Sequence, residues 1–306
     1  MKPRVLLVGR LDAAAEERLA AATDVTRCDE SEFAGNSGMA GGFDAIVART
    51  QTRITRAVLQ AGAGRLRVVG IAGVGLERVE VDAARELGVR IVHTPQAASD
   101  AVAELAVGLL LQLLRPIPRL ASEYSAGKFS EARAAAHGSE LRGRTIGVIG
   151  MGAIGSRFAR ICAAGFGARV MYNDIVPVGP FDFATSPVAK DEIWRACDVI
   201  SLHVPLTPET RGLLNSQLFE RLRGDCLLIN TCRGAVVETA ALVAAIESGR
   251  LAGAGLDVTD PEPLPVGHTL LSHPRCIVTP HIAARTHTGL RNMCAVVDQV
   301  IEALRG

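Results

Sequence analysis

None of the seven cysteines stands in a C-x-x-C pair, and none combines with histidine at the spacing that zinc requires. An odd set without a metal pattern reads as reduced thiols used for their small apolar bulk, so no metal is expected. An excess of charge of one sign is missing too. Lysine plus arginine number 33 and aspartate plus glutamate 32, a net charge of +1 that gives neither nucleic acid nor an anionic membrane an electrostatic reason to bind. The longest apolar stretch, LAVGLLLQLL at residues 105–114, is interrupted by Gln112 and falls far short of the roughly 20 residues of a membrane span. The N-terminal MKPRVLLVGRLD has too few consecutive apolar residues for a secretory signal. A soluble cytoplasmic protein is expected, and no solenoid-like repeat period is visible.

What is present is alternation. Short β-branched runs at residues 5–9, 44–49, 68–73 and 89–94 are separated by helical stretches near 12–22, 54–61 and 79–87, the pattern of parallel strands with crossover helices. A capped, all-round apolar helix starts at Ser99-Asp100 and stops at Pro116 and Pro118. Residues 121–143 lose the strand pattern and read as a polar excursion. A second alternating series then begins, with strands at residues 145–150, 168–174, 197–204, 226–230, 254–258 and 276–281. At 306 residues the chain has room for two domains of roughly 150 residues each. After His281 one apolar stripe, from Leu290 to Leu304, must dock on another element, and the N-terminal domain is the expected partner.

The second series opens on VIGMGAIGSRF, in which Gly150, Gly152 and Gly155 spell G-x-G-x-x-G between an apolar strand and an apolar helix. In that context the first glycine makes a tight turn, the second lets the backbone approach a pyrophosphate, and the third lets helix and strand pack closely. The next strand ends in Asp174, 19 residues beyond Gly155, where a carboxylate would accept from ribose hydroxyls. No arginine immediately follows it to meet a 2′-phosphate, so NAD is expected rather than NADP.

INTCRGAVV (229–237), GAGLDVTDPEPL (253–264) and IVTPHIAA (277–284) each follow or end a strand, so all three can converge at the carboxyl edge of one sheet. Together with HVPLTPETRGLLN (203–215) and the glycine turn, they resemble the D-isomer-specific 2-hydroxyacid dehydrogenase family over nearly the whole chain. The resemblance implies an α/β protein of two doubly wound parallel-sheet domains, a Rossmann NAD-binding domain (99–282) inserted into a flavodoxin-like substrate domain (1–98 plus 283–306). It implies that Arg233, Glu262 and His281 are catalytic. It assigns Gly150, Gly152, Ala153, Ile154, Gly155, Asp174, His203, Pro205, Thr210, Thr231 and Asp257 to the cofactor, and the Gly73-Val74-Gly75 loop to the substrate carboxylate. A homodimer acting on a small 2-oxo or 2-hydroxy acid follows from the same resemblance. The residue types fit independently: a guanidinium fork can bind both carboxylate and carbonyl of a 2-oxo acid, histidine can exchange a proton near neutral pH, and a carboxylate can orient the ring.

The sequence departs from the family at several points. Gln96 and Ala98 stand where Gly and Asn are usual, which with Glu262 argues against a formate dehydrogenase. Arg285, together with Arg49, raises the hypothesis of a substrate with a second anionic group; solvated surface arginines are the alternative. Cys232, beside Arg233, stands in for a small residue and would be open to alkylation if exposed. No added regulatory domain is expected after residue 306. The competing functional reading is an NAD-sensing, corepressor-like binding protein with little turnover.

Overall fold

The computed structural model describes residues 2–34 and 36–305, and the chain divides into two compact units, residues 1–98 with 284–306, and residues 99–283. In the first, β1 (Arg4–Val8), β2 (Asp24–Cys28), β3 (Ala45–Arg49), β4 (Val68–Ala72) and β5 (Arg90–His93) form a parallel sheet ordered β2-β1-β3-β4-β5. The buried parts of the internal strands, residues 5–8, 45–48 and 68–72, carry no polar or charged side chain, as burial on both faces demands. The C-terminal helix Val296–Arg305 covers one face, its Val296, Val297, Val300 and Leu304 packing with Val5, Val47, Val68 and Val92. Gly70 makes room for it, since a Cβ there would lie 2.4 Å from Val300 Cγ2.

The second unit holds β6 (Thr145–Ile149), β7 (Arg169–Asn173), β8 (Thr185–Pro187), β9 (Val199–Leu202), β10 (Leu227–Asn230), β11 (Gly253–Leu256) and β12 (Cys276–Val278). Their order is β12-β11-β10-β9-β6-β7-β8, all pairs parallel. The chain runs outward from β6 through β7 to β8, then returns to place β9 on the other side of β6. The point of reversal, between β6 and β9, is where such sheets bind ligands, beyond the carboxyl ends of the strands. The apolar helix Ser99–Leu114 belongs to this unit and lies on the sheet, with Leu109 and Leu110 fully buried.

Two strands escape the sequence pattern. β2 and β8 are edge strands whose side chains are mostly exposed, so no apolar alternation marks them. The stretch read as a polar excursion, residues 121–143, holds the end of the helix Ile117–Ser125 and all of the helix Phe129–Ala134, and the two helices expose the large side chains of Ile117, Tyr124 and Phe129.

Candidate active site

β6 leads into Gly150, whose φ of +89° and close approach to the His203 carbonyl, 2.4 Å from a notional Cβ, admit only glycine. Gly155 lies in the first turn of helix Ala153–Arg160 with its Cα against the Gly150 carbonyl, 2.0 Å from a notional Cβ. Gly152 differs from both: nothing lies within 4 Å of where its Cβ would be. Two glycines therefore let the turn close on itself, and the third leaves open space at the start of the helix, where Ala153 and Ile154 present amides that an anion can accept from.

Asp174 ends β7 and is tied to this turn. Its Oδ2 accepts from Met151 N at 2.7 Å and its Oδ1 from Val176 N at 3.2 Å. Beside it lies a groove of about 490 Å³ lined by Tyr172, Asp174, Ile175, Val176, Val178 and Pro187. Ile175 is 93% exposed, an apolar surface adjoining a carboxylate, which suits an adenosine with its ring on one and its ribose hydroxyls on the other.

Two further residues assigned to the cofactor carry polar atoms that are buried without a partner among the described residues, His203 Nδ1 and Thr231 Oγ1. They follow the adjacent strands β9 and β10, and such atoms call for a ligand or water. These features fit a dinucleotide. Pro205 and Thr210 are joined within their loop: the Thr210 hydroxyl donates to the Pro205 carbonyl at 2.6 Å and accepts from Thr207 N at 2.8 Å.

His203 carries a pH signature. Its Nε2 meets Ser201 Oγ at 2.8 Å and Phe158 packs against the ring, and burial pushes its pKa down to about 3 from 6.5. Below pH 6.5 the unfolded chain takes up a proton that the folded one refuses, so stability is lost as pH falls, by about 1.4 kcal/mol per unit. Glu16 and Asp44 also titrate low, but below their ordinary carboxylate range, which leaves pH 5–6.5 to His203. Urea unfolding is expected to show roughly 2 kcal/mol less stability at pH 5 than at pH 7, with most of that difference absent in His203→Gln. An equal slope in the variant would refute the assignment.

Arg233, Glu262 and His281 follow three neighbouring strands, β10, β11 and β12. Asn230, which the sequence reading passed over, brackets the turn that presents Arg233: its Nδ2 donates to the Arg233 carbonyl at 3.0 Å and its Oδ1 accepts from Cys232 N at 3.1 Å. Arg233 Nη1 donates to the Cys232 carbonyl at 2.6 Å. Cys232 is buried, its thiol bonded to Asn230 Oδ1 and its pKa raised by that burial, so the structure corrects the idea of an alkylatable thiol. Glu262 Oε1 and His281 Nδ1 stand 2.7 Å apart, both side chains about half exposed. Because Nδ1 is engaged, the ring's Nε2 is the atom left to act. Asp257, assigned to the cofactor by resemblance, is 1% exposed and hydrogen-bonded within residues 279–283.

The remaining residues belong to the first unit. Arg49 ends β3 opposite Ala72 of β4, directly before Gly73, and no hydrogen bond or ion pair engages its guanidinium among the described residues. Gly73 has a φ of +150° and abuts Thr50, 2.4 Å from a notional Cβ; its carbonyl accepts from Thr94 N, and the Val74 carbonyl meets His93 Nδ1 at 3.0 Å. Val74 and Gly75 are partly exposed, and Arg285 is exposed.

Residues 107–283 match the family model described as "D-isomer specific 2-hydroxyacid dehydrogenase, NAD binding domain". The chain is 38% identical to the D-3-phosphoglycerate dehydrogenase of Rattus norvegicus over 86% of its length and 49% of that protein's. It is 35% identical to the hydroxypyruvate reductase of Thermotoga maritima over 85% of both chains. Among solved structures, that of the TT0316 protein from Thermus thermophilus superposes with a TM-score of 0.89 at 36% identity, over 99% of this chain and 97% of that one. The chain thus spans about half the length of the phosphoglycerate dehydrogenases it matches. It belongs to the D-isomer specific 2-hydroxyacid dehydrogenase family, and its second unit carries that family's NAD binding domain.

Proposed function

We propose that the protein is an NAD-dependent D-2-hydroxyacid dehydrogenase that interconverts a small 2-oxo acid and its 2-hydroxy acid. The observation that carries this reading is the Glu262–His281 pair, 2.7 Å apart, in the unit that holds the glycine turn and Arg233. The nicotinamide supplies or accepts the hydride at C2 when bound. The Arg233 guanidinium holds the substrate's carboxylate and polarises its carbonyl. His281 gives a proton from Nε2 to the carbonyl oxygen during reduction and takes it back during oxidation. Glu262 accepts from Nδ1–H, fixing the tautomer and supporting the charged ring. Asp174 favours NADH, since a 2′-phosphate would meet a carboxylate.

In the first unit, Gly73, Val74 and Gly75 offer backbone amides to a substrate carboxylate. The unpaired guanidinium of Arg49 supports a substrate bearing a second anionic group; Arg285, being exposed, adds less. Relatives named for phosphoglycerate, hydroxypyruvate and glyoxylate define the probes. NADH oxidation is to be followed with glyoxylate, hydroxypyruvate, pyruvate, oxaloacetate and phosphohydroxypyruvate, with NADPH in parallel. Turnover is expected with NADH, and Arg49→Ala is expected to lower kcat/KM roughly 10–100-fold for the doubly charged acids alone. No turnover with any of the five, NADH binding being confirmed, would overturn the dehydrogenase reading. Equal rates on singly and doubly charged acids would overturn only the second anionic group.

A further inference from the structure

Two successive peptide groups of the loop that follows β4 are held by their oxygens. The Gly73 carbonyl accepts from Thr94 N at 3.1 Å, and the Val74 carbonyl lies 3.0 Å from His93 Nδ1. Both partners stand at the end of β5. β4 and β5 run in register with Ile71 opposite His93, so the loop starts beside the residues that grip it.

In a trans peptide the N–H points opposite to the C=O. With the Gly73 and Val74 oxygens turned toward the end of β5, the amides of Val74 and Gly75 point away from it. Neither amide has an acceptor among the described residues. Both residues are partly exposed, so two neighbouring donors are open to a carboxylate.

The two grips differ in kind. Thr94 uses its backbone, which almost any residue supplies, whereas His93 uses its side chain. A carbonyl oxygen can only accept, so Nδ1 carries the hydrogen, in the neutral ring as in the charged one. A hydrogen bond to the oxygen of a peptide also polarises that peptide and makes its N–H a stronger donor. Here that N–H is the amide of Gly75.

We propose that His93 is a positioning residue for the substrate: through the Val74–Gly75 peptide it sets how tightly the loop holds the carboxylate of a 2-oxo acid. The proposal rests on the reading of this loop as the carboxylate site. It separates two tasks, His93 acting on the binding of the acid and His281 on the proton.

Two substitutions test it. His93→Leu removes the donor at similar bulk, while His93→Asn keeps one, since an asparagine Nδ2 reaches nearly the place of a histidine Nδ1. The readouts are kcat, KM for the best 2-oxo acid, the Kd for NADH, and the Kd of oxamate, an analogue that hydride does not reduce, for the NADH-bound enzyme. Fluorescence of the bound NADH reports both affinities. In His93→Leu, KM and the oxamate Kd are expected to rise roughly tenfold, with kcat and the Kd for NADH within about threefold of wild type. His93→Asn is expected to recover most of the lost oxamate affinity. An unchanged oxamate Kd in His93→Leu would overturn the proposal, as would a loss confined to kcat, or an asparagine variant as weak as the leucine one. If His93→Leu does not fold, His93→Ser takes its place with the same expectation, its hydroxyl being too short to reach the Val74 carbonyl. Should the wild type bind oxamate but turn over no 2-oxo acid, the dehydrogenase reading fails while the oxamate affinities still decide the role of His93. A wild type that binds no oxamate overturns the proposal itself.

Discussion

Replacing His281 by asparagine is expected to lower kcat by about 10²–10⁴-fold with little change in thermal stability or NADH affinity. Asparagine is chosen because it tolerates the left-handed backbone that His281 adopts, φ +53°, so the variant removes the ring without asking the loop to rearrange. Little burial is lost, since the histidine side chain is 50% exposed. What disappears is the proton carried at Nε2, and no neighbour replaces it: Glu262 sits on the Nδ1 side. Glu262→Gln is the milder partner. It keeps the shape and an acceptor but removes the charge that supports the protonated ring, so a smaller fall in kcat is expected, with KM for the 2-oxo acid nearly constant. The measurements are steady-state kinetics at saturating NADH and a melting curve for each variant. A kcat within about threefold of wild type in His281→Asn would eliminate this histidine as the acid/base.

The sequence makes some of this architecture visible and hides the rest for physical reasons. Buried parallel strands such as VLLV and AIVA must be apolar on both faces, so they stand out; β2 and β8, at sheet edges, face solvent and carry no such signal. The glycine turn is legible because its requirements are local, three glycines within six residues between a strand and a helix. Arg233, Glu262 and His281 are picked out as a group by the family resemblance; their each following a strand of one parallel sheet, whose geometry collects carboxyl ends, accounts for how such distant residues fall at one edge. The hydrogen bonds of Asp257 are another matter: a side chain accepting from backbone groups 25 and 26 residues away leaves no spacing in the sequence. Nor does the exposure of Ile117, Tyr124 and Phe129, since apolar residues on a helix ordinarily indicate burial.

Gly234 shows the same concealment, and its replacement is expected to have the second large effect. In sequence it is simply the residue after Arg233. In the structure a Cβ at 234 would lie 2.0 Å from both the carbonyl carbon and oxygen of Thr259 and 2.7 Å from Asp260 N. All three are backbone atoms, so no flexible side chain can swing aside. The peptide between Thr259 and Asp260 begins the loop that carries Glu262, and Thr259 N itself donates to Glu262 Oε2 at 3.4 Å. Gly234 is therefore the contact through which the turn bearing Arg233 and the loop bearing Glu262 are held against one another. Gly234→Ala must push that loop away by about an ångström, and a displacement of that size at reacting groups lowers rates on the order of 10²-fold. The same overpacking should destabilise the protein by about 1–3 kcal/mol. Gly224, with nothing within 4 Å of its missing Cβ, supplies the control: alanine there should leave kcat/KM unaltered. Kinetics and melting curves on the two variants separate a general cost of losing glycine from the loss of this particular approach. If Gly234→Ala matched Gly224→Ala in both, the two stretches would have to be positioned independently, and the convergence of Arg233 and Glu262 would need another cause.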